Sequence, residues 1–301
     1  MTTQRSELTA RIIPQMTLGD GSPGSATGPP APLPRDAPPA LRAQERFRVQ
    51  GNAIVTGGAG DLGFAVSRAL LEHGLQGLMI FDILEPEEAA DKVARLGEEF
   101  PRATVRFLKV DITDEEGVNA AVEEAAGVLG TMNILLNFAG MVCCGHAMDW
   151  TARDWNRVMN VNTVGGFFVA RALARHMIER KSGGSMIFVA SVSAHRVNFP
   201  QPQVPYNVSK AGVMAMVKSL AAEWARYGIR VNSISPGYMD TILNEGDGLE
   251  LARNLWLSRN SLGRMGQPDE LSGVVVMLAS RAGSYFNGSD LLVDGGQTLF
   301  M

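Results

Sequence analysis

Short runs of consecutive apolar residues alternate along this chain with longer stretches in which apolar positions recur every three or four residues. The short runs are Asn52–Thr56, Gly77–Asp82, Thr104–Val110, Met132–Asn137, Ser185–Ala190, Arg230–Ser235 and Asp290–Val293. Runs that are apolar along their whole length read as strands covered on both faces. The longer stretches, near residues 61–73, 86–99, 114–129, 151–181, 205–227 and 268–280, read as helices. Strict strand–helix alternation predicts an α/β fold, a doubly wound parallel sheet of about seven strands with helices on both faces. Residues 51–301 are enough for one full-sized core and are expected to form one domain.

The first fifty residues break the pattern. Between Gly19 and Ala40, eleven of twenty-two residues are Gly or Pro. Such a stretch buries too little apolar surface to offset its ordering entropy, so residues 1–50 are expected to form a disordered tail. Arg5 and Arg11 against a single Glu7 give the extreme N-terminus a faint transit-peptide character. A cytoplasmic location is the expectation, with a mitochondrial one as the alternative.

Composition narrows the function. Of 301 residues, 46% are hydrophobic and 19% charged, and the net charge of −4 gives no basic excess for nucleic acid. No apolar run approaches the roughly 20 residues of a membrane span. The two cysteines, Cys143 and Cys144, are adjacent, which rules out a disulfide framework and a structural zinc site. A small-molecule partner is expected, with no metal, nucleic acid or membrane.

Two segments carry chemistry. The first strand runs into Thr56-Gly57-Gly58-Ala59-Gly60-Asp61-Leu62-Gly63 and then a helix. A glycine-rich turn there lets backbone approach a pyrophosphate, which the helix N-terminus attracts. The second strand ends in Asp82, nineteen residues after Gly63, where a carboxylate can bond ribose hydroxyls and repel a 2′-phosphate. No Arg or Lys lies in the turn, so NAD(H) is expected over NADP(H). The second segment is Tyr206-Asn207-Val208-Ser209-Lys210, continued by the helical stripe Val213, Val217, Leu220 and Trp224. Residues four apart share a helix face, so the Lys210 ammonium should neighbour the Tyr206 phenol. A cation there, together with an oxidised nicotinamide, is expected to lower the phenol pKa and make it a usable acid/base.

With these motifs in order, the chain resembles the short-chain dehydrogenase/reductase family over residues 51–301, a Rossmann fold. The resemblance is carried by the glycine turn, Val110-Asp111-Ile112, Asn137-Phe138-Ala139-Gly140, Asn162, Ser191, Tyr206 with Lys210, and Pro236-Gly237 followed by Thr241. It implies Tyr206 as general acid/base, Lys210 tuning it and holding the nicotinamide ribose, and Ser191 bonding the substrate oxygen. It implies Asn162 supporting a water path to Lys210. Gly57, Gly60, Asp61, Leu62, Gly63, Asp82, Asp111, Ile112, Asn137, Ala139, Gly140, Pro236, Gly237 and Thr241 would contact the cofactor. A homodimer or homotetramer is likewise implied.

Ser193, thirteen residues before Tyr206, competes with Ser191, fifteen before. The commoner family spacing favours Ser193 and alignment on the strand end favours Ser191. The longer loop through Pro200-Gln201-Pro202-Gln203-Val204-Pro205 resembles fungal-type polyol dehydrogenases and carbonyl reductases, in which the first serine is catalytic. Two positions depart from the family. Asp61 stands where shorter members carry a glycine and could repel pyrophosphate if it points inward, or cap outward. Phe138 replaces an asparagine. Ser193, His195 and Cys143 are candidate substrate contacts, as are Asn244 and Glu245 in the segment Met239–Leu262 that closes over substrate in relatives. The expected activity is reversible NAD(H)-dependent oxidation of a secondary alcohol to a ketone, with a sugar alcohol and its ketose, of arabinitol, mannitol or sorbose type, as the substrate pair that the resemblance implies. A reductase of a bulkier ketone is the alternative, and a non-catalytic nucleotide-binding regulator a further one.

Overall fold

The structure is a computed structural model that describes residues 11–244 and 246–299. Seven strands lie in one parallel sheet: β1 Asn52–Thr56, β2 Gly77–Asp82, β3 Thr104–Lys109, β4 Ile134–Asn137, β5 Gly184–Val189, β6 Ile229–Pro236 and β7 Asp290–Val293. Their order across the sheet is β3-β2-β1-β4-β5-β6-β7. Strand order reverses between β1 and β4, and a crevice opens beyond the carboxyl ends of strands at such a point.

The helices are α1 Pro39–Phe47, α2 Asp61–Glu72, α3 Pro86–Glu99, α4 Glu115–Leu129, α5 Ala152–Met159, α6 Gly166–Arg180, α7 Val204–Trp224, α8 Glu250–Ser258 and α9 Ser272–Ala279. One apolar layer joins α4, α6 and α7 to the sheet around Ile54, Leu135, Phe188 and Val217. The other joins α2, α3 and α9 to it around Val55, Leu70, Ile187 and Val275. Neighbouring strand residues such as Ile54 and Val55 serve opposite layers, which is why β1 is apolar throughout.

Three departures from the sequence reading bear on the site. The single helix expected over 151–181 is interrupted by a π-helical turn, Asn160–Gly165, between α5 and α6. The extra backbone residue of a π turn re-aims the side chains it carries, and here it turns Asn162 inward. The helix expected over 268–280 opens with a 3₁₀ turn, Pro268–Leu271, closed by a reciprocal Gln267–Glu270 capping box. The third departure concerns residues 1–50. Residues 39–47 are helical and Val49 is fully buried, its N–H bonded to His73 O at 2.9 Å. Upstream, the Arg281 guanidinium donates to Ala31 O. The ordered chain therefore starts before residue 51, because Val49 completes the α2 layer that the glycine and proline content could not reveal. Val49→Ala is expected to lower the unfolding free energy by about 1–3 kcal/mol in urea titrations, since it deletes buried methyl groups and leaves a void.

Candidate active site

The site grows from the carboxyl ends of β1, β4, β5 and β6. At the β1 end, Thr56 Oγ1 donates to Asn137 Oδ1 at 2.8 Å and accepts Ala139 N–H at 3.1 Å. Asn137 Nδ2 donates to Gly166 O at 3.1 Å. These bonds clamp β1, β4 and the start of α6 together below the cleft. Asn137, expected to line a cofactor, is buried and occupied in this clamp instead.

The clamp forces close approach in the glycine turn. A Cβ on Gly57, which sits at φ +64°, would come within 2.7 Å of Ala139 N, and one on Gly63 within 2.2 Å of Gly57 O. Phe64 N–H is the first in α2 to find a turn carbonyl, Gly60 O at 2.8 Å. Among the described residues, the preceding N–H groups of Asp61, Leu62 and Gly63 have no backbone acceptor. Together these form a cradle of the kind that holds a dinucleotide pyrophosphate. Asp82 lies beside it at the β2 end, accepting Ala59 N–H at 3.1 Å and Ile83 N–H at 2.8 Å. Asp61 does not turn into the cradle: its carboxylate faces Lys92 Nζ at 3.4 Å and Ile242 N–H at 3.3 Å. Lys92 also donates to Ala59 O at 2.6 Å. A cation from α3 therefore reaches the turn, although the turn itself contains none. Asp111 is exposed beyond β3 and accepts from Thr113, while Ile112 packs under Gly165.

A cleft of about 280 Å³ opens next to this turn, lined by Leu62, Gly140, Ser191, Ser193, Tyr206, Lys210, Pro236, Gly237 and Thr241 among others. Ser191 lies two residues past β5 and caps the turn Val192–Ala194, with its Oγ accepting Ser193 N–H at 3.1 Å and donating to Ser193 Oγ at 3.0 Å. Both serines are buried at the cleft wall. Lys210 Nζ lies 5.7 Å from the Tyr206 ring centroid and donates to Val189 O at 2.9 Å. Asn162, presented by the π turn, accepts Met141 N–H at 2.8 Å and donates to Met141 O at 2.9 Å and Ser209 Oγ at 3.0 Å. It thus fixes the chain after β4 against α7 and stands beside Gly140 and Lys210.

Charge states here differ from the expectation. Desolvation by burial raises the Tyr206 phenol pKa, with a hydrogen bond from Ser191 acting in the opposite direction. Burial likewise lowers Lys210 to about 8. The ammonium does not bring the phenol down, because the same apolar surroundings penalise both charged forms.

Two candidate substrate contacts are corrected. His195 turns away from the cleft: its Nε2 meets Asp290 Oδ2 at 2.9 Å and Ser235 Oγ at 3.3 Å, joining the loop after β5 to β7. Cys144, not Cys143, lines the cleft. Asn244 lines it too, but its amide donates to Met239 O at 2.8 Å; Glu245 lies outside the described residues. Unforeseen were Asn198, Gln201, Gln203 and Tyr238. Tyr238 stacks on Trp256 at 4.0 Å between centroids, and its hydroxyl accepts from Asn198 and Gln201. Trp256 Nε1 donates to Gln201 Oε1 at 3.2 Å, tying α8 to the loop before α7. For Gln203 a signal existed: it stands three residues before Tyr206 on the same helix start.

The family profile described as enoyl-(acyl carrier protein) reductase matches residues 57–298. The chain belongs to the short-chain dehydrogenase/reductase family. Relatives include D-arabinitol 2-dehydrogenase (ribulose-forming) of Candida tropicalis, 39% identical over 83% of this chain and 93% of that protein. Galactitol 2-dehydrogenase of Rhizobium johnstonii is also 39% identical, over 85% of this chain and 98% of that protein. A gluconate 5-dehydrogenase from Burkholderia cenocepacia, solved with NADP and tartrate, superposes with a TM-score of 0.79 at 34% identity, covering 86% of this chain and all 100% of the other. This short-chain dehydrogenase/reductase is accordingly an oxidoreductase of CH–OH groups with a small-molecule substrate. Dehydrogenases of the family bind NAD or NADP, and the cradle described above fits such a dinucleotide. Among the described residues no helix is long and apolar enough to cross a membrane.

The buried cation at Lys210 should be visible in stability. With a folded pKa of about 8 against an ordinary 10.5, the unfolded chain holds a proton between those values that the folded chain has released. Stability therefore rises with pH across that window. Relative to Lys210→Met, the wild-type protein is expected to gain up to about 3 kcal/mol from pH 8 to 10.5, read by thermal or urea unfolding at each pH.

Proposed function

We propose that the chain catalyses reversible NAD(H)-dependent oxidation of a secondary alcohol of a sugar alcohol to the corresponding ketose. The observation that carries this reading is the meeting of Ser191, Tyr206 and Lys210 in one cleft beside the glycine turn. The polyol part of the reading rests on the arabinitol and galactitol dehydrogenases among the relatives. Polar side chains grouped on the wall formed by residues 191–210 support it.

Ser191 donates a hydrogen bond to the substrate oxygen and orients it toward Tyr206. In the oxidative direction the Tyr206 phenolate accepts the hydroxyl proton as the carbonyl forms. In the reductive direction the neutral phenol returns that proton to the carbonyl oxygen. Lys210, held at Val189 O, keeps its ammonium near the phenol and at the ribose side of the cradle. A nicotinamide dinucleotide, when bound, supplies the hydride acceptor or donor. Asn162 keeps Gly140 and Met141 in place at the cleft. Because burial holds Tyr206 neutral, oxidation should climb with pH on the alkaline side, whereas reduction should fall. Tyr206→Phe is expected to lower kcat at least about 100-fold with D-arabinitol, galactitol or D-mannitol while retaining NADH binding. Full activity in that variant would remove Tyr206 from the role, and wild-type silence on every polyol would discard the substrate class.

For the cofactor, Asp82 supports NAD, since a carboxylate at the end of β2 beside the glycine turn would bond ribose hydroxyls and repel a 2′-phosphate. Lys92 at the turn and the NADP-bound relative favour NADP as a second reading. Initial rates with each dinucleotide decide between them, and Asp82→Ala is expected to reduce discrimination against NADP at least tenfold. An unchanged ratio would overturn the role given to Asp82. The assembly we propose is a homodimer or homotetramer, and the compartment the cytoplasm; sedimentation and fractionation test these.

A further inference from the structure

The loop before α7 places an amide where the proton-transfer set does not use it. Gln203 is 5% exposed and lines the cleft three residues before Tyr206. Its bonds are long: Nε2 reaches Ser193 Oγ at 3.5 Å, and Oε1 accepts the Cys144 thiol at 3.6 Å. Burial raises the Cys144 pKa, so the thiol remains a weak, neutral donor. A buried primary amide can make up to four hydrogen bonds, two donated and two accepted. Gln203 therefore retains capacity on both ends. Nearby, Asn198 Oδ1 is buried with no partner among the described residues, while its Nδ2 is fixed on the Tyr238 hydroxyl at 2.9 Å.

These groups line the same cleft as Ser191 and Tyr206, together with the apolar Leu62, Val142 and Met239. Buried polar groups with unused valence favour a ligand that both donates and accepts. A hydroxyl does both. A carbon neighbouring the one held between Ser191 and Tyr206 would carry its hydroxyl toward Ser193 and Gln203, because Ser193 is bonded to both Ser191 and Gln203.

We propose that Gln203, acting with Ser193, binds the hydroxyl on the carbon adjacent to the one oxidised, so that the enzyme selects vicinal diols over isolated secondary alcohols. This deepens and rests on the dehydrogenase reading above. Gln203 is a specificity residue and takes no part in proton transfer.

The test compares kcat/KM for 2,3-butanediol with that for 2-butanol, which differ by one vicinal hydroxyl, alongside D-arabinitol and galactitol. The wild-type protein should prefer the diol. Gln203→Met keeps the side-chain volume and removes the hydrogen bonds. It is expected to cut the diol-to-monool ratio and arabinitol turnover by about 10–100-fold, chiefly through KM, and to change 2-butanol turnover by less than about threefold. Gln203→Glu, which keeps an acceptor, should recover part of the ratio. Thermal unfolding and NADH fluorescence titration should match the wild type for Gln203→Met, and NADH titration for Gln203→Glu. Equal losses on diol and monool would show a structural role and overturn the proposal, as would an unchanged ratio or a wild-type protein with no diol preference. Wild-type turnover of other alcohols without any polyol would overturn the polyol reading as well, and no turnover of any alcohol would remove both.

Discussion

The hydrogen bonds from Thr56 to Asn137 and Ala139 are the constraint on which the site depends. They hold the carboxyl ends of β1 and β4 together at the point where strand order reverses, with no Cβ separating Gly57 from Ala139. A looser junction would let α2 swing away from the sheet. The N–H groups at its start would then no longer share a crevice with the β5 serines and α7. The bonds are buried, so each unmet group would cost roughly 1–3 kcal/mol, more than an exposed pair could. Asn137 extends the junction to α6 through Gly166 O, and the π turn carries it on to Asn162 and the chain after β4.

The second organising feature is a tolerated electrostatic cost. Lys210 and Tyr206 sit where their charged forms are disfavoured, and Val189 O with the Tyr206 ring offsets part of the cost of the ammonium. A chain selected for stability alone would place an apolar residue at 210. The cost instead sets a neutral phenol and a cation with a pKa of about 8 side by side in the cleft. Surface charge follows another logic. Asp61 is half-buried between Lys92 and the N–H of Ile242, joining the glycine turn to α3 and to the segment that precedes α8. Tyr238, Trp256 and Gln201 make the second join between that segment and the cleft. That segment is thus tied at two ends, once to the glycine turn and once to the loop before α7.

Much of this was legible in the chain. Apolar runs gave the strands because both sheet faces are covered, and the Tyr206–Lys210 spacing gave a shared helix face because 3.6 residues make a turn. The glycine turn was legible for a steric reason: only glycine fits at 57 and 63. What periodicity determines is local, and it ended there. Whether Asp61 points into or out of its turn was decided by Lys92, thirty-one residues away, and by a backbone N–H at 242. His195 was claimed by Asp290 from the far strand rather than by the cleft. Cys144 and not its neighbour lines the cleft, in a loop without regular structure whose course no local periodicity sets. The Tyr206 pKa rises because the fold desolvates the phenol, a property of surroundings that no spacing encodes. The sequence by itself determined which elements form and which residues can react. Tertiary structure alone decided direction, burial and partnership, because those depend on atoms brought together from distant parts of the chain.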